Sequence, residues 1–534
     1  CRRSECSASE ALCSATTSLS FHSDEMTHLP LLLGAVMVTS VQANMPQMMM
    51  YGRRLRGTFS WSRISSLLGD DINPDVQDAV TRGDFTGFLN AVCQQYSGKP
   101  CWDLRRLHEM PASARALTSQ DLLDEYPNNR DNISHKTELE SWLASQSWRS
   151  FTSTVGRPGS RSTCNVSIRY VTIYRPSEDT RPSRAVIVSV GQGEPVAKYD
   201  EFLRDLMDQG YSPIYVLEHR GQGTSDRLLA DHFKNHVESS EDFVTDFKQF
   251  VDLAVEEIGS ETPKFLACHS MGCAVAFTHL LNEYKAQRPT VFNAIVANAP
   301  LIKANTDPFP YLVATALAEV MVAFGIGEQY APTKDEPFEE KYGDAKFARS
   351  TTSSLERWLR YRDQCVAHRD TKLGADQHTG LCLGGVTGQF AKEFFDLFDV
   401  IDEFNDSLGK ISTPTLIQIA GSPTGSDGLV LNSETTTFCE KSLKACTTSQ
   451  YSDSKHNIWW ERDEVRGPAL VEVFNFLQEH SGEKVAQCPL PASCGEWDYS
   501  LSTWGCKNPS ECSFQPQWGD YMLGQMCRTS GPAC

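Results

Sequence analysis

The chain is short of positive charge. It carries 49 Lys and Arg against 68 Asp and Glu, a formal net charge of −19 over 534 residues. A balance this acidic argues against a nucleic-acid partner and against simple electrostatic docking on an anionic membrane. Long apolar runs are scarce too. Outside one stretch near the N-terminus, none approaches the roughly 18 apolar residues that a membrane span needs. No C-x-x-C pair occurs among the 18 cysteines, which weighs against a cysteine metal site. No Gly-Lys-Ser/Thr follows the turn Gly191-Gln192-Gly193, which excludes a P-loop, and the glycine pair is too short for a dinucleotide site. No metal and no cofactor is expected.

What is present supports one large α/β domain with extensions: 40% hydrophobic residues, with 35 Gly and 26 Pro to punctuate them. Residues 1–43 read as an upstream leader and a secretory signal peptide. Met26 is the expected start, Leu29 to Val41 the apolar core, and Val41-Gln42-Ala43 a small-x-small cleavage site. Residues 44–137 read as a polar extension, helical in pieces over Asp75 to Val92 and Ser119 to Tyr126, with Cys93 and Cys101 able to close a small loop. Residues 483–534 read as a tail stapled by disulfides, because six cysteines (488, 494, 506, 512, 527 and 534) crowd into the last 47 residues. Sequons at Asn132, Asn165 and Asn405 agree with an oxidising, secretory compartment. Fifteen cysteines follow Met26, an odd number, so one thiol is expected to stay free, with Cys268 or Cys273 the candidates.

Between extension and tail, residues 138–482 alternate strand and helix. Ser167 to Tyr174 alternates like an edge strand. Ala185 to Val190 is a continuous apolar run, as in a strand buried on both faces. Tyr199 to Gln209 reads as a helix, Pro213 to Leu217 as a strand, Glu241 to Ile258 as a helix, Phe265 to Cys268 and Val291 to Ala297 as strands. The sheet resumes at Pro414 to Ile419 and closes with a helix over Ala469 to His480. Such alternation predicts a mostly parallel sheet with helices on both faces. Residues 301–405 interrupt it with helical, aromatic segments and read as a lid.

The run Cys268-His269-Ser270-Met271-Gly272 sits between the end of a buried strand and the start of a helix. It is G-x-S-x-G with cysteine at the first small position. A sharp turn there would lift the Ser270 hydroxyl from the sheet edge, over backbone N–H groups and a helix N-terminus. A serine nucleophile needs a base, and the base an orienting acid. Asp427 follows a late strand by eight residues, and His456 lies in the loop before the last helix, so the chain order Ser270, Asp427, His456 fits the nucleophile-elbow enzymes. Asp406 and Glu434 are the rival acids. His269 adjoins the serine but should point away from it, and His480 sits on a helix end. Two N–H donors should face the oxyanion: Met271, which follows the serine, and Gln192, in the turn after the first buried strand.

Several stretches together resemble one family. Glu218-His-Arg-Gly-Gln-Gly-Thr-Ser225 resembles the D-H-R-G-Q-G-x-S block of the lysophospholipase and monoglyceride lipase branch of the α/β-hydrolases, serine hydrolases of S33 type. Gly191-Gln-Gly-Glu194 with Lys198-Tyr199 is similar to that branch's oxyanion loop, and Cys268 to Gly272 to its H-S-M-G elbow. Ser353 to Arg360 and Leu383 to Thr387 resemble lid segments of bacterial lysophospholipases, and His456 to Arg466 the histidine loop. The likeness spans roughly residues 140–480. The chain departs from it at Val190, Glu218, Cys268 and Cys273. The resemblance implies the α/β-hydrolase fold and a serine esterase acting on lysophospholipid or monoacylglycerol through an acyl-enzyme, with the lid touching membrane or micelle in passing; together with the signal peptide, the expectation is a secreted enzyme. The rival readings are a peptidase or amidase of the same fold and a binding protein without activity.

Overall fold

In the computed structural model the described residues are 74–82, 91, 92, 94, 95, 136–155, 166–176, 183–332, 347, 350–373, 378–407, 410–421 and 426–482. The leader and signal segment, the helix over 119–126, Cys93 and Cys101, the sequons at Asn132 and Asn165 and the cysteine tail lie outside them.

The strands are β1 (Ser147–Thr152), β2 (Ser167–Ile173), β3 (Ala185–Ser189), β4 (Ile214–Leu217), β5 (Lys264–His269), β6 (Ala294–Asn298), β7 (Thr415–Ala420) and β8 (Cys446–Tyr451). The helices are α1 (Pro74–Arg82), α2 (Lys136–Ala144), α3 (Asp200–Asp208), α4 (Ser240–Ile258), α5 (Met271–Lys285), α6 (Tyr311–Ala323), α7 (Leu355–Ala367), α8 (Gly388–Ser407), α9 (Asn432–Ser442) and α10 (Asp463–Glu479). One sheet takes the order β1-β2-β4-β3-β5-β6-β7-β8. β1 and β2 run antiparallel, and β2 is antiparallel to β4. Every other pairing in this sheet is parallel, which makes this the α/β-hydrolase fold, and a separate short antiparallel pair joins Lys372–Leu373 to His378–Thr379.

The apolar runs became the centre of the sheet because a strand covered on both faces has no polar side to show. All five residues of β3 are buried. Ile187 packs in a core with Phe243, Phe247, Phe250 and Phe277 of α4 and α5. Its neighbours Val186 and Val188 point the other way, to Phe202, Leu203, Leu206 and Phe474 of α3 and α10. Edge strands β1 and β8 have no fully buried position and carry mainly polar residues, so neither shows as an apolar run. The helix α9 was likewise not expected from the sequence.

The insertion between β6 and β7 has unequal attachments. α8 buries Phe390, Phe394, Phe398, Ile401 and Phe404, spaced to lie on one helical face, in the same core as α4 and α5. α7 is clamped to the body by buried charge. Arg357 donates to both oxygens of Glu201 at 2.8 and 3.0 Å, to Asp463 at 2.7 Å and to the Glu461 carbonyl at 2.6 Å. Arg360 grips Asp200 at the start of α3. α6 instead packs chiefly on α8 and leaves Leu312 and Phe324 exposed. Among the described residues no helix is long and apolar enough to cross a membrane.

Three disulfides are formed among the described residues: Cys268–Cys273, Cys365–Cys382 and Cys439–Cys446. The first corrects the expectation of a free thiol at Cys268 or Cys273. The turn that carries Ser270 brings these residues face to face, with Cα atoms 4.9 Å apart, inside the range a disulfide spans.

Candidate active site

β5 ends at His269, and α5 begins at Met271. Ser270 alone makes the turn, at φ 50° and ψ −119°, a conformation that an L-residue holds only when its surroundings impose it. The constraint is visible in the backbone. Ser270 N–H donates to the Asn298 carbonyl of β6 at 3.1 Å, and its own carbonyl accepts from Cys273 at 3.0 Å and Leu301 at 3.1 Å. Gly272 is required, because a Cβ there would run into the carbonyl oxygens of Ser189 and Val190. The helix thus starts hard against β3, with the hydroxyl at the sheet's C-terminal edge.

His456 lies between β8 and a 3-10 turn, Ile458–Trp460. With the carboxylate ionised, His456 Nδ1–H donates to Asp427 Oδ2 at 2.6 Å, leaving Nε2 to accept from the Ser270 hydroxyl at 2.8 Å. The partner of His456 Nδ1 is therefore Asp427, not Asp406 or Glu434. Asp427 Oδ1 accepts the N–H groups of Leu429 at 2.8 Å and Val430 at 2.9 Å. Burial pushes the Asp427 carboxyl up, but the attraction of His456 and these hydrogen bonds outweigh it and hold the group below its usual value. The carboxylate is thus charged and aimed at the imidazole. In this arrangement the base can take a proton from the serine as the resulting imidazolium gains a fixed counter-charge.

The two expected oxyanion donors come from different parts of the chain, one beside Ser270 and one in the turn after β3. Met271 opens α5, and its N–H has no partner among the described residues, like that of Gln192 in the turn after β3. His269 is buried behind the triad. Its Nδ1 bonds the Asn298 carbonyl at 3.0 Å, and its ring centre lies 4.9 Å from that of His456. Sequence reasoning gave no role to Glu194, Lys198, Tyr199 and Gln222, although all four fall in stretches that carry the resemblance. Glu194 is a buried carboxylate bonded by Lys198 and Tyr199. Burial raises its pKa, yet Lys198 and His269 attract the charge strongly enough to bring it down to about 2.

Buried imidazoles set an acid limit on the fold. Burial lowers His269 to about 3, and His219 and His279 to about 4, from an ordinary 6.5. Below pH 6.5 the unfolded chain takes up these protons while the folded one refuses them. Stability is thus whole above about 6.5 and drains away as pH falls toward 4 and then 3. Loss of the Glu194 charge acts in the same direction as pH falls from about 4.5 toward about 2. The urea midpoint should fall between about pH 7.5 and about pH 4.5, and a flat midpoint over that range would contradict the assignment.

With the geometry established, the chain can be compared with known proteins. Residues 180–463, more than half of the chain, match the family model Hydrolase_4, described as "Serine aminopeptidase, S33". The chain belongs to this family. Among relatives of this S33 hydrolase, Lysophospholipase L2 of Escherichia coli (strain K12) is 26% identical over 325 residues, covering 59% of this chain and 86% of that protein. Monoglyceride lipase of Rattus norvegicus is 24% identical over 315 residues, covering 58% and 86%. A soluble variant of monoglyceride lipase from Saccharomyces cerevisiae, solved with a substrate analogue, covers 63% of this chain and 96% of its own at 14% identity, with a TM-score of 0.46. The S33 hydrolase is thus lysophospholipase- and monoglyceride-lipase-like over its central domain.

Proposed function

We propose that this hydrolase is a serine esterase of single-chain lipid esters, lysophospholipid or monoacylglycerol. The observation that carries the reading is the hydrogen-bonded chain Asp427–His456–Ser270 at 2.6 and 2.8 Å. Ser270 Oγ attacks the ester carbonyl as His456 Nε2 takes its proton. The tetrahedral oxyanion is held by the Gln192 and Met271 amides, each worth about 3 kcal/mol in such a site. His456 then returns the proton to the departing alcohol oxygen, leaving an acyl-serine. A water activated by the same imidazole releases the fatty acid. Relatives named lysophospholipase and monoglyceride lipase support the choice of lipid ester.

Ser270 is only 8% exposed, so the acyl chain needs part of the insertion to move. In this reading the lid comes down to α6, since α8 belongs to the core and α7 is held by buried ion pairs. Leu312, 54% exposed near the start of α6, and Phe324, 43% exposed just past its end, offer apolar side chains for brief contact with a membrane or micelle. Passage through the secretory lumen is supported by the three disulfides of the body, a bond type that reducing compartments seldom keep.

The deciding experiment is a substrate panel with purified protein. Lysophosphatidylcholine and monoacylglycerol should release fatty acid faster than short p-nitrophenyl esters, with kcat/KM rising along the acyl series, since each added CH₂ buried contributes about 0.8 kcal/mol. Turnover of aminoacyl-anilides with no ester turnover would replace the reading with the peptidase one. No turnover together with no labelling of Ser270 by a fluorophosphonate would leave a binding protein.

A further inference from the structure

The turn after β3 presents three successive amides, from Gly191, Gln192 and Gly193, and among the described residues only the middle one has no acceptor. Gly191 N–H donates to Glu194 Oε2 at 3.2 Å and to the Tyr199 hydroxyl oxygen at 3.2 Å. Gly193 N–H donates to Gln222 Oε1 at 2.6 Å. All three acceptors belong to buried side chains, Glu194 at 6% exposure, Tyr199 at 3% and Gln222 at 0%. Each is itself held in place. Tyr199 and Lys198 bond the Glu194 carboxylate, and the Lys198 ammonium lies 4.1 Å from the ring centre of Trp460, four residues past His456. Gln222 Nε2 points to Met271 Sδ at 3.6 Å, from the residue that supplies the second oxyanion donor. Gly191 approaches so closely that a Cβ on it would meet the Glu194 carboxylate and the His269 ring.

From this we infer that Glu194 and Gln222 are positioning residues of the oxyanion pocket: by taking up the amides on both sides of Gln192, they fix the turn so that the Gln192 N–H is the donor offered to the substrate oxygen. The inference rests on the serine-esterase reading. It also accounts for why Gly-Gln-Gly-Glu and Arg-Gly-Gln-Gly belong to one machine, though some 30 residues separate them. The glycines allow close approach, and the two acceptors set the angle. Neither side chain touches substrate. Their work is to remove the freedom of a peptide plane that must already point correctly when charge develops.

The test removes the acceptors while keeping bulk. Gln222→Met has the same reach and no acceptor. Glu194→Met/Lys198→Met removes the carboxylate acceptor together with its counter-charge, leaving Gly191 N–H only the Tyr199 hydroxyl that the carboxylate had oriented, and Glu194→Gln/Lys198→Met restores an acceptor oxygen without the charge. On a short p-nitrophenyl ester, Gln222→Met and the double-Met variant should lose about 30- to 100-fold in kcat with KM within about threefold, the scale expected for a misdirected oxyanion donor. The Gln-containing variant should recover most of that loss. Affinity for an alkyl boronic acid, which forms a tetrahedral adduct on serine, should fall in step with kcat, whereas affinity for the fatty-acid product should not.

Melting curves identify the variants that fold, and Gln222→Met carries the test if the Glu194 variants do not. A folded Gln222→Met with wild-type kcat and boronate affinity overturns the inference. So does a fall in fatty-acid affinity that matches the fall for the boronate. Wild-type protein that neither turns over esters nor binds the boronate would instead overturn the functional reading on which the inference rests.

Discussion

Ser270→Ala is expected to remove ester hydrolysis almost entirely, by about 10⁴-fold or more in kcat, the scale of losing a serine nucleophile. The substitution deletes one oxygen and little else. Alanine faces the same backbone requirement at φ 50° that serine already meets, and the N–H bond to Asn298 and the carbonyl bonds to Cys273 and Leu301 involve only main-chain atoms. Melting behaviour should therefore stay close to wild type while fluorophosphonate labelling disappears. What remains above the uncatalysed rate measures the amide donors alone. Retention of even a tenth of the activity would mean that another group attacks, and the role assigned to residue 270 would fall.

The second large effect is expected at Asp427→Asn, about 10³- to 10⁴-fold in kcat. Shape is nearly conserved. The remaining amide oxygen can still accept from Leu429 and Val430, which fix it at 2.8 and 2.9 Å. What changes is the atom facing His456 Nδ1. A carboxylate oxygen accepts a proton there, whereas an amide nitrogen offers one. The imidazole must then carry its proton on Nε2, toward the serine, where it no longer accepts. Labelling by fluorophosphonate should slow rather than vanish, and KM should move little. A kcat within tenfold of wild type would show that the acidic partner of His456 does not act through the tautomer.

These two positions show how far the sequence could be read. Ser270 was legible because its surroundings are local: a buried strand before it, a helix after it, and small residues on either side of the turn. Asp427 was less so. It sits in a loop with no periodicity, and two other acids competed until His456 Nδ1 was found 2.6 Å away. β3 to β7 could be traced because burial on both faces favours apolar side chains, with the polar ones mostly at the strand ends. β1 and β8 could not, since an edge strand such as Cys446-Thr-Thr-Ser-Gln-Tyr451 keeps polar residues toward solvent. The phenylalanines of α8 announced a helix but not its partner, and one apolar face serves a mobile flap or a core layer equally well. Glu194 and Gln222 were hidden for a different reason. Their meaning lies in main-chain amides 3 and 29 residues away, and no pattern of side chains along the chain encodes that.

The sulfur bridge under the nucleophile has one more consequence. Cys268 and Cys273 have 0% exposure, enclosed by β5, α5 and the aromatic layer above them. Neither an oxidant nor a thiol can reach these atoms once the layers have closed, and exchange requires contact with a sulfur. Whether they are joined is thus settled while the polypeptide is still assembling and is then locked in. Protein made in a reducing cytosol and protein made in an oxidising lumen would differ by two hydrogens at this spot, and non-reducing peptide mapping of the segment that holds Cys268 and Cys273 would show which of the two conditions the chain folded in.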